Sequence, residues 1–508
     1  MEHAAPRLQL SRTDRLAFLS ACAAAVTVHL YVFSNLLLGN DGASSAFTAN
    51  EHLASGRWAL EFFSSFSSVY QMPVVIGAIS VVMLALTAVV TVRFLALSTP
   101  LCVVLTSALL VSFPSVACTF AYLFTADAYF IALFLAAAAA YLAKRFRRGW
   151  AAAVVLTAVS CGIYQAYLSY GAALLLFDCV LALLEGRETL GDVLRRGVRY
   201  LAVVICSLLL YYGIESALLA WKGASLTDYM GMDTIGGLHL RERIGAVPKA
   251  YETVWTYLRT QPFLSPLFRL ARLGAALLCV GAVSCLLWRR RREPARLLTA
   301  LLGLGLLPLA LGSMAVLAYG AFTVHQLMIY AFALVLPFTL KCVELAWPPD
   351  GKRRLPRSLC ALCCALLLWN DFCVSNIGYH SLQLCYENTF ALANRIAARI
   401  EVLEGYAQGS GAVAFIGSPA RDLGRLYGNS GHYEEFRPAI ELMCRDLVLT
   451  RDFLRHYTGL HIPDLSEEDR AAVRDSPEAA AMPCYPEAGS VLMVDGVAVV
   501  KFGPGRIW

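Results

Sequence analysis

Residues 40–70 read NDGASSAFTANEHLASGRWALEFFSSFSSVY, a polar stretch between two apolar spans. Asp41 stands just past the first span. A carboxylate there is solvated more cheaply than one at mid-membrane, where insertion costs about 2.5–3.5 kcal/mol. It can take the proton of a water-borne hydroxyl as a general base, or it can cap a helix starting near Ala43. Glu51 and His52 are a second acid and base by type, although on a helix they face different ways; the alternative is a pair of solvated loop residues. Arg57 is the only Lys or Arg between residues 39 and 72. It can hold a lipid-linked phosphate or anchor the loop at the interface.

Three further places offer polar groups. Asp127, in FTADAY, has no basic neighbour in its own turn; it marks the lip of a span or faces Asp41 across a cavity. Tyr164-Gln165 opens the span CGIYQAYLSY. The tyrosine suits an aromatic belt, and the glutamine can bond sugar hydroxyls. The long 221–268 segment carries Asp228, Asp233, His239, Arg241 and Arg243. After Gly56, helical spacing puts Trp58, Phe62, Phe63, Phe66, Val69 and Tyr70 on one arc, with Glu61, Ser64, Ser65, Ser67 and Ser68 opposite. That pattern predicts an interfacial helix with its aromatic side in the lipid boundary.

The elements that position these groups are mostly membrane spans. The chain has 508 residues, 58% hydrophobic and 15% charged, against roughly 25% charged in soluble proteins. Eleven spans are expected, near 16–38, 73–92, 96–113, 128–143, 149–161, 165–184, 199–220, 269–288, 296–318, 322–346 and 356–375. The first is too long for a signal-peptide core of about 7–15 residues and reads as a retained anchor.

Basic residues give the orientation. Arg7, Arg12 and Arg15 precede the first span; Lys144, Arg145, Arg147 and Arg148 follow the fourth; Arg187, Arg195, Arg196 and Arg199 lie between the sixth and seventh. Arg289 to Arg292 follow the eighth, and Lys352, Arg353 and Arg354 follow the tenth. With eleven spans all five clusters share one side, the cytoplasmic side by the positive-inside rule. The N-terminus is then inside and residues 39–72, 113–128 and 221–268 are outside, as is the C-terminus. Arginine blocks abutting apolar spans indicate topology rather than nucleic acid.

The composition changes after Trp369-Asn370-Asp371. Residues 376–508 hold 12 Lys+Arg and 17 Asp+Glu, a net of −5, which leaves +11 of the total +6 on residues 1–375. Residues 377–406 show amphipathic helical spacing, AVAFIG at 412–417 reads as a strand, and VLMVDGVAVVKFG at 491–503 as a hairpin turning at Asp495-Gly496. The tail is therefore expected to be a small extracytoplasmic α/β domain, 376–508, beside a membrane domain, 1–375. GSGAVAFIG lacks the glycine order of a phosphate loop. Most of the 16 cysteines lie in apolar runs, as small hydrophobes, without zinc-ligand spacing. Cys444 and Cys484 can pair only if that side is oxidising.

NDG and SGRW after the first span, P…GAIS at 73–80, FPSVACTFAYLFTADAYF at 113–130 and GIYQAYLSYGAALLL at 162–176 together resemble the type II O-antigen glucosyltransferase family. Those are polytopic bacterial membrane enzymes with a GT-C-like architecture. The resemblance covers about residues 15–185 by motif and extends to about 375 by hydropathy. It implies transfer of a glucosyl or related unit from a polyprenyl-phosphate sugar to a cell-surface polysaccharide, outside the cytoplasmic membrane and without a cofactor. It further implies Asp41 as catalytic base, since an acid in the first outer loop has that role in such enzymes; many members carry paired acids, and this chain has Asn40-Asp41. The leaving phosphate would be stabilised by Arg57, with Arg241 or Arg243 contributing. Asp127 and Gln165 would position sugar hydroxyls, with Tyr164, Glu51 and His52 completing the substrate-binding set. A transporter or flippase of lipid-linked sugars is the alternative reading; it would favour internal repeats and broken helices, which the sequence does not show. A scaffold protein offering an acidic tail accounts for neither the interfacial helix nor the acid placement.

Overall fold

The computed structural model describes residues 11–37, 42, 52–226, 240–260, 263–317, 324–348, 354–419 and 451–507. Among the described residues the longer helices of the bundle include α1 Arg12–Ser34, α2 Pro73–Leu95, α3 Pro100–Ser112, α4 Ala126–Arg145, α5 Gly149–Ile163, α6 Leu168–Glu185, α7 Leu190–Lys222, α8 Pro266–Arg289, α9 Pro294–Leu311, α10 Val335–Ala346 and α11 Leu355–Glu401. Nine apolar stretches among the described residues are long enough to cross a membrane. Two of the eleven expected spans fall short. Helix α5 has 15 residues, about 22 Å of rise against a hydrocarbon core of about 30 Å, because the chain turns extended at Tyr164. The expected 322–346 span breaks into 3₁₀ turns at Gln326–Met328 and Tyr330–Leu334 before α10, only 12 residues long. The count of eleven full spans is therefore not what the described residues show.

The bundle is knit at one end by its basic clusters. Arg93, in the last turn of α2, forks onto Asp14 of α1 at 2.6 and 2.7 Å. Lys144 of α4 reaches Asp178 of α6 at 2.7 Å and the Phe94 carbonyl at 2.6 Å. Arg196 of α7 also meets Asp178, at 3.1 Å. Arg290 donates to the Glu185 carbonyl at the end of α6, Arg289 to the Ala346 carbonyl at the end of α10 at 2.6 Å, and Lys341 to the Ala96 carbonyl just past α2 at 2.9 Å. Glu344 accepts from the Ser98 and Thr99 amides at the start of α3, at 3.3 and 2.8 Å. Helix C-termini leave carbonyls without intrahelical donors, and cations there also meet the negative end of the helix dipole. The same residues that announce topology in the sequence thus lock helix ends together. Three of the five clusters join this end plate, through Lys144, Arg196, Arg289 and Arg290; the fifth is described only at Arg354.

Small side chains let the helices approach closely. Ala132, Ala136, Ala137, Ala139, Ala140 and Ala143 of α4 are all buried, as close packing of membrane helices requires. Gly77 of α2 faces the Phe33 ring, where a Cβ would come within 2.6 Å.

Helix α11 spans 47 residues, about 70 Å. It runs without a break through residues 375 and 376, where the sequence suggested a junction between two elements. Beyond it, β1 Val413–Ile416 pairs in parallel with β3 Val497–Lys501, which pairs antiparallel with β2 Val491–Val494. Asp495 and Gly496 both have positive φ, 50° and 84°, the geometry of the tight hairpin turn expected there. The end of α11, through Leu392, Ile396 and Ile400, packs on Phe415, Val491 and Val500 of this sheet. Cys484 is exposed; Cys444 lies outside the described residues.

The stretch after Gly56 departs from one continuous amphipathic helix. Only Leu60–Ser64 is α-helical, and Ser68–Tyr70 is a 3₁₀ turn. Phe62, Phe66, Val69 and Tyr70 are exposed, as the aromatic arc predicts, while Ser64, Ser67 and Ser68 are buried. Three of the four serines thus point into the protein, while Ser65 and Glu61 face outward.

Candidate active site

The SGRW turn and the GIYQ turn interlock at the end of the bundle away from the basic plate. Leu53–Ser55 forms a 3₁₀ turn closed by Gly56 at φ 71°. The His52 carbonyl accepts from the Ser55 and Arg57 amides at 3.1 and 3.2 Å. Gly56 allows both the left-handed backbone and a close approach. A Cβ there would lie 2.5 Å from Glu215 Oε1, 2.7 Å from the Tyr211 hydroxyl and 2.9 Å from Gln165 Nε2. The Tyr211 hydroxyl donates to the Gly56 carbonyl at 2.8 Å, with Glu215 Oε1 at 3.3 Å. Gln165 Nε2 donates to the Tyr211 hydroxyl at 3.1 Å and the Ser55 carbonyl at 3.3 Å. Gln165 therefore clamps the turn with its amide nitrogen.

Next in the chain, Arg57 is half-buried. Its Nε donates to Ser55 Oγ at 2.9 Å and its Nη1 to the Tyr129 hydroxyl at 2.8 Å. Tyr129 stacks on Tyr164, ring centroids 4.1 Å apart and 10° from parallel. The Tyr164 hydroxyl is buried without a hydrogen bond among the described residues. Trp58 lies over Gly162, where a Cβ would fall 2.4 Å from the indole, and the Ala59 amide donates to the Gly162 carbonyl at 2.8 Å. The glycines of the two motifs are spaces that the other motif fills.

Asp127 sits in the first turn of α4, almost fully buried, its carboxylate taken up by Ser67 Oγ and the Ala128 amide. It stands at the lip of a span, buried, and ties the 64–68 turn to the helix that carries Tyr129 two residues later. Arg243, in the short helix Leu240–Gly245, donates to the Tyr212 hydroxyl at 3.1 Å. Tyr212 packs edge-on to Tyr211 at 4.9 Å, so Arg243 joins the cluster from the side. Arg241 is exposed. Asp41 and Glu51 lie outside the described residues, as do Asp228, Asp233 and His239. Gly42 is described, and its carbonyl accepts from Gln71 Nε2. No group of three or more His, Cys, Asp or Glu suited to a metal occurs among the described residues.

Burial, with the Arg57 charge adding, brings the His52 pKa from 6.5 down to about 4. His52 is therefore neutral at neutral pH and cannot serve there as a cationic acid. Its folded pKa lies below the unfolded value, so on acidification the unfolded chain takes up the proton first. The stability involved is intact above about pH 6.5 and is lost as pH falls toward about 4. Thermal melting of the detergent-solubilised protein should decline over that window more steeply for wild type than for His52→Gln. Parallel declines would assign the titration to another group.

Glu215 joins the cluster from α7, a residue not singled out by any motif in the sequence. It is 3% exposed on an apolar helix, and an ionisable group inside a span is by default a functional candidate. Glu215→Gln keeps the size and an acceptor for Tyr211, but a charge-assisted bond to a bound hydroxyl becomes a neutral one. Transfer should fall about tenfold with the melting point nearly unchanged; undiminished transfer would make Glu215 a packing group only.

Helices of spanning length around a buried polar cluster, with an arginine clamped at one bundle end, define a polytopic membrane protein built around a polar site. The chain belongs to the Glucosyl transferase GtrII family, which matches residues 30–338, from late α1 to the start of α10. That stretch holds every residue of the cluster and excludes the tail. No curated protein and no solved structure matches the chain. Its chemistry is glycosyl transfer.

Proposed function

We propose that this glycosyltransferase moves a glucosyl or related unit from a polyprenyl-phosphate sugar to a surface polysaccharide, on the extracytoplasmic side of the inner membrane. The observation that carries this reading is Arg57, held by Ser55 and Tyr129 beside the Glu215–Tyr211 pair, at the end opposite the basic plate. The positive-inside rule puts that plate in the cytoplasm, so the site faces outward, as does the domain formed by residues 376–508. A planar guanidinium held in a fixed orientation by Ser55 and Tyr129 suits recognition of a phosphate group.

Asp41, one residue before the Gly42 carbonyl that Gln71 holds, acts as general base. It takes the proton of the acceptor hydroxyl; that oxygen bonds the anomeric carbon as the carbon–oxygen bond to phosphate breaks. The phosphate leaves with the electron pair, its charge met by Arg57, with Arg243 beside the cluster. Glu215 holds a sugar hydroxyl. Gln165 and Asp127 act by positioning the 55–57 and 64–68 turns. Neither nucleotide nor metal enters these steps.

Expression of wild type and Asp41→Asn, followed by analysis of surface glycan composition, tests this. Loss of one sugar substituent at normal protein level supports the assignment of the base. An unchanged glycan sinks it, and a polyprenyl-phosphate sugar accumulating on the inner leaflet favours lipid translocation instead.

A further inference from the structure

We propose that a groove between α5 and α7, at the basic end of the bundle, binds one anionic phospholipid. The groove encloses about 410 Å³ and is lined at its mouth by Arg147, Trp150 and Arg199, a volume within the range of small-molecule sites. Its floor runs along Val154 of α5 and Ala202, Val203 and Cys206 of α7, so a charged mouth opens onto an apolar channel parallel to two membrane helices.

No acid among the described residues pairs with the charges at the mouth. Arg147 has no ion pair or hydrogen bond among the described residues. Arg199 is fixed by one bond, Nη2 to the Ala143 carbonyl at 2.9 Å, while its Nε is buried with no partner. The nearby acids are engaged elsewhere: Glu188 with Arg196 at 2.8 Å, Asp178 with Lys144 and Arg196, and Asp192 with Arg195 at 3.4 Å. Trp150 is half exposed, as an indole at headgroup level is. A phosphodiester between Arg147 and Arg199 with an acyl chain along Val154 and Cys206 meets both surfaces; basic pockets between spans on this side take such headgroups. Snorkelling alone would account for Arg147 but not for the buried Arg199 Nε above an apolar floor.

The full chain in mild detergent is offered equal amounts of phosphatidylglycerol and phosphatidylcholine, and bound lipid is read by native mass spectrometry. Wild type should retain phosphatidylglycerol about tenfold over phosphatidylcholine. Arg147→Ala combined with Arg199→Ala should abolish the preference. Val154→Trp, which fills the floor without changing charge, should lower phosphatidylglycerol retention comparably, and it carries the test if the double variant fails to fold. Millimolar inorganic phosphate should displace nothing. Equal retention of both lipids by wild type, a preference that survives both sets of substitutions, or displacement by phosphate, which would mark a free-anion site, overturns the proposal.

Discussion

Gly56→Ala should cut glycosyl transfer by on the order of a hundredfold, the size of effect that an ångström of misplacement at a site can produce. The left-handed backbone at φ 71° would cost a side-chain-bearing residue roughly 1–2 kcal/mol. The larger effect is spatial. A methyl group 2.5 Å from Glu215 Oε1 and 2.7 Å from the Tyr211 hydroxyl must push the turn away from α7, breaking the bond from Tyr211 to the Gly56 carbonyl and moving Arg57 with it. The protein should still reach the membrane, since the basic end plate is untouched. Transfer assays on membranes with matched protein levels check this; activity near wild type would mean that the 55–57 turn does not set the reacting geometry.

Arg57→Ala should lower transfer by roughly a hundredfold to a thousandfold, the loss typical when a donor to a developing anion is removed. Arg57→Lys separates two explanations. Lysine restores a positive charge but not the fork that spans Ser55 Oγ and the Tyr129 hydroxyl at 2.9 and 2.8 Å, and the two cations are not interchangeable at such sites. Lysine should therefore recover only a small part of the rate. Full recovery would reduce Arg57 to a point charge, and an active alanine variant would remove it from the site. The Tyr129–Tyr164 stack predicts that disrupting Tyr129 affects Arg57 as well, so these substitutions should not be additive.

What could be read from the sequence follows from which physical rules act locally. The arginine clusters are legible because topology and helix-end capping both demand cations at the same places, as Arg290 on the Glu185 carbonyl illustrates. The hairpin at Asp495-Gly496 is legible because its turn fixes its own register. SGRW and GIYQ were legible as motifs, but not as partners: nothing in either string says that Trp58 fills the space left by Gly162. Ser64, Ser67 and Ser68 are buried against a helical alternation that predicts them outward, because the chain breaks into turns here and Ser67 bonds the buried Asp127. The composition change after Asn370 is no break in the helix: the Leu264 amide donates to the Asn370 side chain at 3.2 Å, and α11 continues to Glu401. Glu215 carries a signal in its own right, an acid 3% exposed in the apolar stretch of α7 far from the charged first turn.

The proposed reaction forms a glycosidic bond from a lipid-phosphate sugar. The most direct measurement uses the full chain reconstituted in liposomes with a polyprenyl-phosphate sugar labelled in the glucosyl unit and a soluble polysaccharide acceptor. Label should become covalently attached to the acceptor without added nucleotide, and Arg57→Ala should suppress it. Label that crosses the bilayer but stays on its lipid, or attachment that requires a nucleotide sugar, would contradict the account.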